Sequence, residues 1–245
     1  MAEWITGRNP VYEVLRARRR HIHRIWVAKG VQEQGHLPEI LKLAKAQKIE
    51  VQFVNRSNLD GIEHHHQGIA ISTGGYPYSN LDTIFQKAKF RQEPIFILLL
   101  DLIQDPQNLG TLLRTAEAFG VHGVVFPLAR SASITPAVVN ASSGATEWLQ
   151  IAQSNLAQAL DRVKNEGGWI VGLEDSPAAQ APEHINLKGG VGLVIGNEGS
   201  GLRRLVRDKC DLLMRLPMQG KIDSLNASVA GSIALFLARQ ARSSS

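Results

Sequence analysis

Arg215-Leu-Pro-Met-Gln-Gly-Lys-Ile-Asp-Ser-Leu-Asn-Ala-Ser-Val-Ala230, continuing into Gly231-Ser-Ile-Ala-Leu-Phe-Leu-Ala-Arg239, is the stretch on which the reading of this chain turns. It opens as the end of an apolar strand, bends at Pro217 and Gly220, and then becomes a helix. Asp223 or Ser224 is placed to cap that helix, since a side-chain oxygen there can accept from N–H groups the first turn leaves unpaired. Leu225, Val229, Ile233 and Phe236 recur at helical spacing, which predicts a buried face. Ala227, Ala230, Gly231 and Ala234 between them are small enough to let another backbone come close. Packing does not account for Ser224 and Asn226, polar residues at a helix mouth beside a glycine-bearing turn, an arrangement that commonly holds a ligand.

Working outward, the chain before this helix alternates apolar runs with helical periods. Ile95-Phe-Ile-Leu-Leu-Leu100 is continuous, as in a central parallel strand covered on both faces. Helices are predicted over 107–119, 136–143, 154–166 and 202–207, and strands over 123–126, 148–152, 168–173, 191–195 and 212–216. Such alternation predicts an α/β domain with a parallel sheet over 94–245. The N-terminal part repeats the alternation on a smaller scale: a helix over 9–17, strands over 24–28, 50–54 and 68–72, and a helix over 37–47. The expected boundaries are a small α/β domain over 1–73, a Gly- and Pro-rich linker with its lead-in helix over 74–93, and the larger domain beyond. The tail from Arg242 is expected to lack order.

Lys and Arg exceed Asp and Glu by 27 to 22, a net charge of +5 that favours an anionic partner. The single cysteine, Cys210, excludes an intramolecular disulfide and any multi-cysteine metal site. No metal is expected, because His64, His65 and His66 are adjacent and point to opposite sides of an extended chain. No apolar run is long enough to cross a bilayer and the first residues lack a signal pattern, so a cytoplasmic protein with no membrane partner is expected. Residues 1–74 hold 11 Lys/Arg against 7 Asp/Glu, and 6 of the 8 His. Arg8, Arg16, Arg18, Arg19, Arg20, His66 and Gln67 are the candidate contacts to an anionic partner, a phosphate-bearing one for the arginine run, and charge by itself favours the plainer reading of solvated cations at a helix end.

Strand ends carry ligands in open α/β sheets, and three of them here bear a polar load. The first is Asp101-Leu-Ile-Gln-Asp-Pro-Gln-Asn-Leu-Gly-Thr-Leu-Leu-Arg114, with Asn108 and Arg114 on one broad side of a helix. Next comes Ile195-Gly-Asn-Glu-Gly-Ser-Gly-Leu202, whose spacing is neither the dinucleotide fingerprint nor a P-loop. The third is the opening stretch. Together these blocks resemble the three motifs of the SpoU (TrmH) branch of the SPOUT RNA 2′-O-ribose methyltransferases. The N-terminal unit, from Gly7-Arg-Asn-Pro10, resembles the ribosomal-protein-like substrate-binding domain that accompanies this branch. The layout is most similar to bacterial enzymes acting on a guanosine of large-subunit rRNA.

That resemblance implies a C-terminal trefoil knot, which general topology rules disfavour, with S-adenosylmethionine held in it and a homodimer around it. It assigns Arg114, Asn108, Glu198, Ser224 and Asn226 to catalysis, and Gly196, Ile195, Asn197, Leu216, Met218 and Leu225 to the cofactor. Arginine is a poor proton acceptor, since its pKa lies above about 12. Arg114 is therefore read as a clamp on an RNA phosphate that also stabilises the forming oxyanion. The alternatives are a tRNA ribose methyltransferase, a resistance-type rRNA methylase of the same family, and a non-catalytic RNA-binding protein on the same fold.

Overall fold

The structure, a computed structural model, describes residues 2–128, 131–197, 199–222 and 224–243. By packing, the chain divides into one unit of Met1–Pro77 with Ile134–Trp148, and a second of Tyr78–Ser133 with Leu149–Ser245.

The first unit contains β1 (Glu3–Thr6), α1 (Arg8–Ala17), β2 (Ile22–Ala28), α2 (Leu37–Ala46), β3 (Val51–Val54), α3 (Arg56–Asp60) and β4 (Ile69–Thr73). Its sheet has the order β1-β4-β2-β3, and only the β2–β3 pair, linked through α2, is parallel. Ile5, Ile25, Val27, Ile69 and Ile71 are buried together with Val11, Val14 and Leu15 of α1 and Ile40 and Ala44 of α2. The short helix α3, which the sequence pattern did not separate from a loop, covers Ala28 and Ala70 through Leu59.

Residues 134–148 pack in this first unit although the sequence places them within the larger domain. They comprise α6 (Pro136–Ala141) and a 3-10 turn, Ala145–Trp148, whose last residue was expected to open a strand that begins instead at Ile151. The tie is electrostatic as well as steric. The Arg20 guanidinium, fully buried, reaches the buried Glu147 carboxylate at 2.9 Å and Glu3 at 3.2 Å. Arg19 donates to the carbonyls of Glu147 and Pro77, both at 3.2 Å, and the Tyr76 hydroxyl donates to the Thr146 carbonyl at 2.8 Å. Burial pushes the Tyr76 phenol up to about 12, so it stays a neutral donor.

The second unit holds α4 (Leu81–Arg91), β5 (Phe96–Asp101), α5 (Pro106–Ala118), β6 (Gly123–Phe126), β7 (Ile151–Gln153), α7 (Leu156–Asn165), β8 (Gly168–Leu173), β9 (Gly190–Gly196), α8 (Arg204–Asp208), β10 (Leu212–Met214) and α9 (Ala227–Ser243). The six strands, in the order β10-β8-β9-β5-β6-β7, are all parallel. Every residue of β5 and β9 is buried, which is why both read as unbroken apolar runs. The chain leaves β5 toward β6 and β7, then returns to build β8, β9 and β10 on the other side. The strand order thus reverses between β5 and β9, and a crevice for a ligand forms beyond their carboxyl ends.

Helix α9 corrects two expectations. Its buried residues are Ser228, Gly231, Ala234, Leu235 and Ala238. The predicted buried stripe is open instead: Leu225 is 38% exposed, Val229 46%, Ile233 38% and Phe236 50%. Small residues win the inward face because the helix lies directly on α5 and β9. A Cβ on Gly231 would meet Leu112 Cδ2 at 2.6 Å. The helix also runs to Ser243, into the tail expected to lack order, where Arg242 donates to the carbonyls of Gly189 and Pro94 and lies over the Phe96 ring; Ser244 and Ser245 lie outside the described residues.

Candidate active site

Two loops meet beyond the reversal point because β5 and β9 end in register, Asp101 opposite Gly196. Asp101 is fully buried and accepts from the Arg203 backbone N–H at 2.8 Å and from Arg203 Nε at 2.7 Å. This pair pins the loop after β9. Asn197 completes the brace: its Nδ2 donates to the Leu102 carbonyl at 3.1 Å, its Oδ1 accepts from Gly199 N–H at 2.9 Å, and its backbone pairs with Gly201. The sequence reading made Asn197 a cofactor contact, yet its side chain is spent on holding the loop.

Gly196 has a specific reason to be glycine. A Cβ there would stand 2.3 Å from the Gly201 carbonyl carbon and 2.6 Å from Leu202 N. The close approach on this side is to the chain's own returning backbone.

Around this loop lies a cavity of about 450 Å³. All six residues proposed for the cofactor line it: Ile195, Gly196, Asn197, Leu216, Met218 and Leu225. Ser224 lines it as well. Glu174 and Asp175, at the end of β8, and Arg207 of α8 also border it, and Arg207 Nε lies 3.0 Å from Glu174. Nothing in the sequence singled out this charged rim, because its members are far apart in the chain.

Beside the cavity, α5 and α9 bring their amino ends together. Asp105 caps α5, accepting from the Asn108 N–H at 2.9 Å. Asn226, not Ser224, caps α9: its Oδ1 accepts from Ser228 N–H at 2.9 Å and from Val229 N–H at 3.3 Å. Asp223 and Glu198 lie outside the described residues. The Asn108 Oδ1 accepts from Asn226 Nδ2 at 3.0 Å and from Ser228 Oγ at 3.1 Å. Asn108 and Asn226 are thus joined, and Ser228, which the sequence reading passed over, completes the contact. Arg114 sits on the exposed side of α5, nearly two turns from Asn108.

In the first unit the candidate RNA contacts separate. Arg20 is consumed by Glu147 and Glu3, and Arg19 by the carbonyls already described. His66 is fully buried, with Nε2 3.0 Å from Asp60 and Nδ1 accepting from the Gly68 N–H. Arg8 donates to the carbonyls of Gln67, Gln34 and Gln32, while the Gln67 side chain accepts from the Arg8 N–H. These five side chains brace the unit. Arg16 and Arg18 are exposed, Arg16 being paired with Glu13 at 3.1 Å.

Comparison with known proteins agrees with this layout. The SpoU rRNA Methylase family pattern matches residues 95–236, and one described as RNA 2′-O ribose methyltransferase substrate binding matches residues 4–79. YacO of Bacillus subtilis strain 168, assigned by name to the TrmH family of tRNA/rRNA methyltransferases, is 39% identical over 96% of this chain and 94% of its own. A Staphylococcus aureus protein of the same designation is 41% identical over 95% of this chain and 93% of its own. Among solved structures, an AdoMet-bound rRNA methyltransferase from Sinorhizobium meliloti superposes with a TM-score of 0.79 at 25% identity, covering 98% of this chain and 87% of that one. The SpoU methyltransferase AviRb of Streptomyces viridochromogenes shares the fold, with a TM-score of 0.82 at 21% identity over 100% of this chain and 92% of its own.

Proposed function

The chain belongs to the SpoU rRNA Methylase family of RNA methyltransferases, and from that premise we propose that it methylates a ribose 2′-hydroxyl of RNA, with a guanosine of 23S rRNA as the target. The observation that carries this reading is the cavity at the strand-order reversal, with the joined Asn108, Asn226 and Ser228 at its edge. S-adenosylmethionine is the methyl donor, and it supplies an electrophilic methyl on a sulfonium. The cavity fits such a group: about 450 Å³ lies within the usual range for a small-molecule site. Ile195, Leu216, Met218 and Leu225 offer an apolar wall suited to the adenine. A trefoil knot around this pocket belongs to the same reading.

The protein's own part is to place the hydroxyl in line and manage its proton. Asn108 and Asn226 restrain each other, so the two helix mouths keep a fixed spacing. Arg114 holds an RNA phosphate through its planar fork and stabilises the oxyanion as it forms, with Ser224 and Glu198 as further polar groups. The separate N-terminal unit favours rRNA, in the arrangement typified by RlmB. Mapping ribose methyls on rRNA and tRNA from cells with and without the protein tests this. One guanosine methyl should vanish from 23S rRNA. Loss from tRNA alone would replace the target, and an unchanged map of both would sink the reading.

The homodimer is proposed on the exposed stripe of α9. Ile233 lines a groove with Pro182, Ile185, Leu187, Pro217 and Leu237, and with exposed Val229 and Phe236 of the same helix it offers an apolar surface that a second copy of the chain would cover. Ile233→Asp with Phe236→Asp should sediment as a monomer at concentrations where the wild type is a dimer. A monomeric wild type at tens of micromolar would remove the proposal.

A further inference from the structure

The sheet of the first unit has two unlike faces. One is sealed by α1 and α2. On the other, strand alternation and register place Trp4, Ser72 and Arg24 in one row and Ala70, Trp26 and Gln52 in the next. Among the described residues, Leu59 of α3 with Val31 and Ile62 covers this face at the end marked by Ala28 and Ala70. The Trp4 and Trp26 rings have centroids 4.4 Å apart and are tilted by 39°, and both indoles are only partly buried. Trp26 Nε1 donates to Gln52 Oε1 at 2.8 Å, which fixes that ring in place. Arg24 is exposed, and its guanidinium carbon lies 5.9 Å from the Trp4 ring and 5.6 Å from the Trp26 ring. Among the described residues Arg24 has no carboxylate partner.

Burial alone does not ask for this combination. Two indoles can close an apolar face, but a guanidinium laid over both with no ion pair of its own adds a cation that packing does not require. The chemistry that satisfies both is a planar base carrying a phosphate. We propose that Trp4, Trp26 and Arg24 form a stacking platform for unpaired nucleotides of the RNA substrate, with bases against the indoles and a backbone phosphate on Arg24. This rests on the reading of the chain as an RNA methyltransferase and assigns the part of the RNA its small unit grips. Unpaired rather than duplex RNA is selected, because only splayed bases present their faces to a protein surface. The occupied positions are distinct from the arginine cluster after α1. The Glu50 carboxylate lies on the same face, where it accepts from Gln52 Nε2 and makes no ion pair with Arg24, so a phosphate is recognised by the single guanidinium and not by a broad positive field.

The test uses the full chain and two labelled probes, a single-stranded 12-nucleotide RNA without self-structure and a blunt RNA duplex. Affinities are compared for the wild type, Trp4→Leu/Trp26→Leu, Trp4→Phe/Trp26→Phe and Arg24→Gln, with S-adenosylmethionine binding measured on the same samples. The Leu pair should weaken single-strand binding by roughly 10-fold or more, since stacking one base is worth a factor of about 5–150. The Phe pair should stay within about 3-fold of wild type, because a ring still stacks. Duplex affinity should not change. Arg24→Gln, an exposed position whose change leaves the packing intact, should weaken the single strand and flatten its salt dependence by about one unit of slope. Wild-type affinity in the Leu pair and in Arg24→Gln would overturn the platform, as would Phe behaving like Leu, or equal losses on duplex. A wild type that binds S-adenosylmethionine but neither RNA would instead overturn the RNA-substrate reading on which the platform rests.

Discussion

Arg114→Ala is expected to reduce methyl transfer by roughly 10²–10³-fold, the loss typical when one preorganised donor to a developing oxyanion is removed. The side chain stands on the exposed side of α5 and does not line the cavity. S-adenosylmethionine affinity should therefore match the wild type within a factor of about two, and the sedimentation of the variant should match that of the wild type. Arg114→Lys should not recover the rate, because a point charge cannot reproduce a planar two-pronged contact with a phosphate. Single-turnover methyl transfer, with calorimetry for the cofactor, separates these effects. Substantial turnover by the Lys variant would mean that charge alone suffices and that the clamp geometry is wrong. A cofactor defect in Arg114→Ala would move the residue from the RNA side of the site to the cavity side.

Gly196→Ala should weaken S-adenosylmethionine binding on the order of 100-fold, although it adds one methyl. The atoms that methyl would meet are the Gly201 carbonyl carbon and oxygen at 2.3 and 2.4 Å and Leu202 N at 2.6 Å. All belong to backbone, so the loop itself must shift. A shift breaks the Asn197–Gly201 pairing and strains the Arg203 contact to buried Asp101, an overpacking cost of about 1–3 kcal/mol. Gly199→Ala is the matched control. There a Cβ would meet only Asn197 Oδ1, at 3.5 Å, so binding should stay within about three-fold of wild type. Equal affinities for both variants would show that the loop after β9 does not shape the cofactor pocket.

The alternation of the larger unit was legible because β5 and β9 are buried on both faces and so carry no polar residues to blur their limits. The gathering of Ile195, Leu216, Met218 and Leu225 was legible only through the family resemblance, since apolar residues at two strand ends and before a helix look like core. Periodicity found the apolar stripe of α9 but not its surroundings: a regular spacing reports that residues share a face, not that the same chain covers it. The inward face went unread because Ser228, Gly231 and Ala234 carry almost no hydrophobic signal. The arginine run misled for a related reason. Arg16, Arg18, Arg19 and Arg20 look alike in sequence, and only Glu147, 127 residues further on, distinguishes Arg20 as buried. Ser228 was missed because a serine in a first helical turn is unremarkable until Asn108 is found 3.1 Å away.

Residues 134–148 carry a consequence for how enzymes of this plan can be recombined. The chain leaves the smaller unit after Pro77, re-enters it at Ile134 and leaves again after Trp148. A chimera joined at the linker would therefore exchange only part of the module. The recipient would keep a native Glu147 segment facing a foreign residue in place of Arg20, or a buried arginine left with Glu3 alone. Breaking a buried pair in this way costs about 3–5 kcal/mol, a large share of the stability of a unit of this size. Grafting substrate preference from one relative to another thus requires two crossover segments moved together, and lineages that exchange this module must inherit the helix and turn of 134–148 along with it.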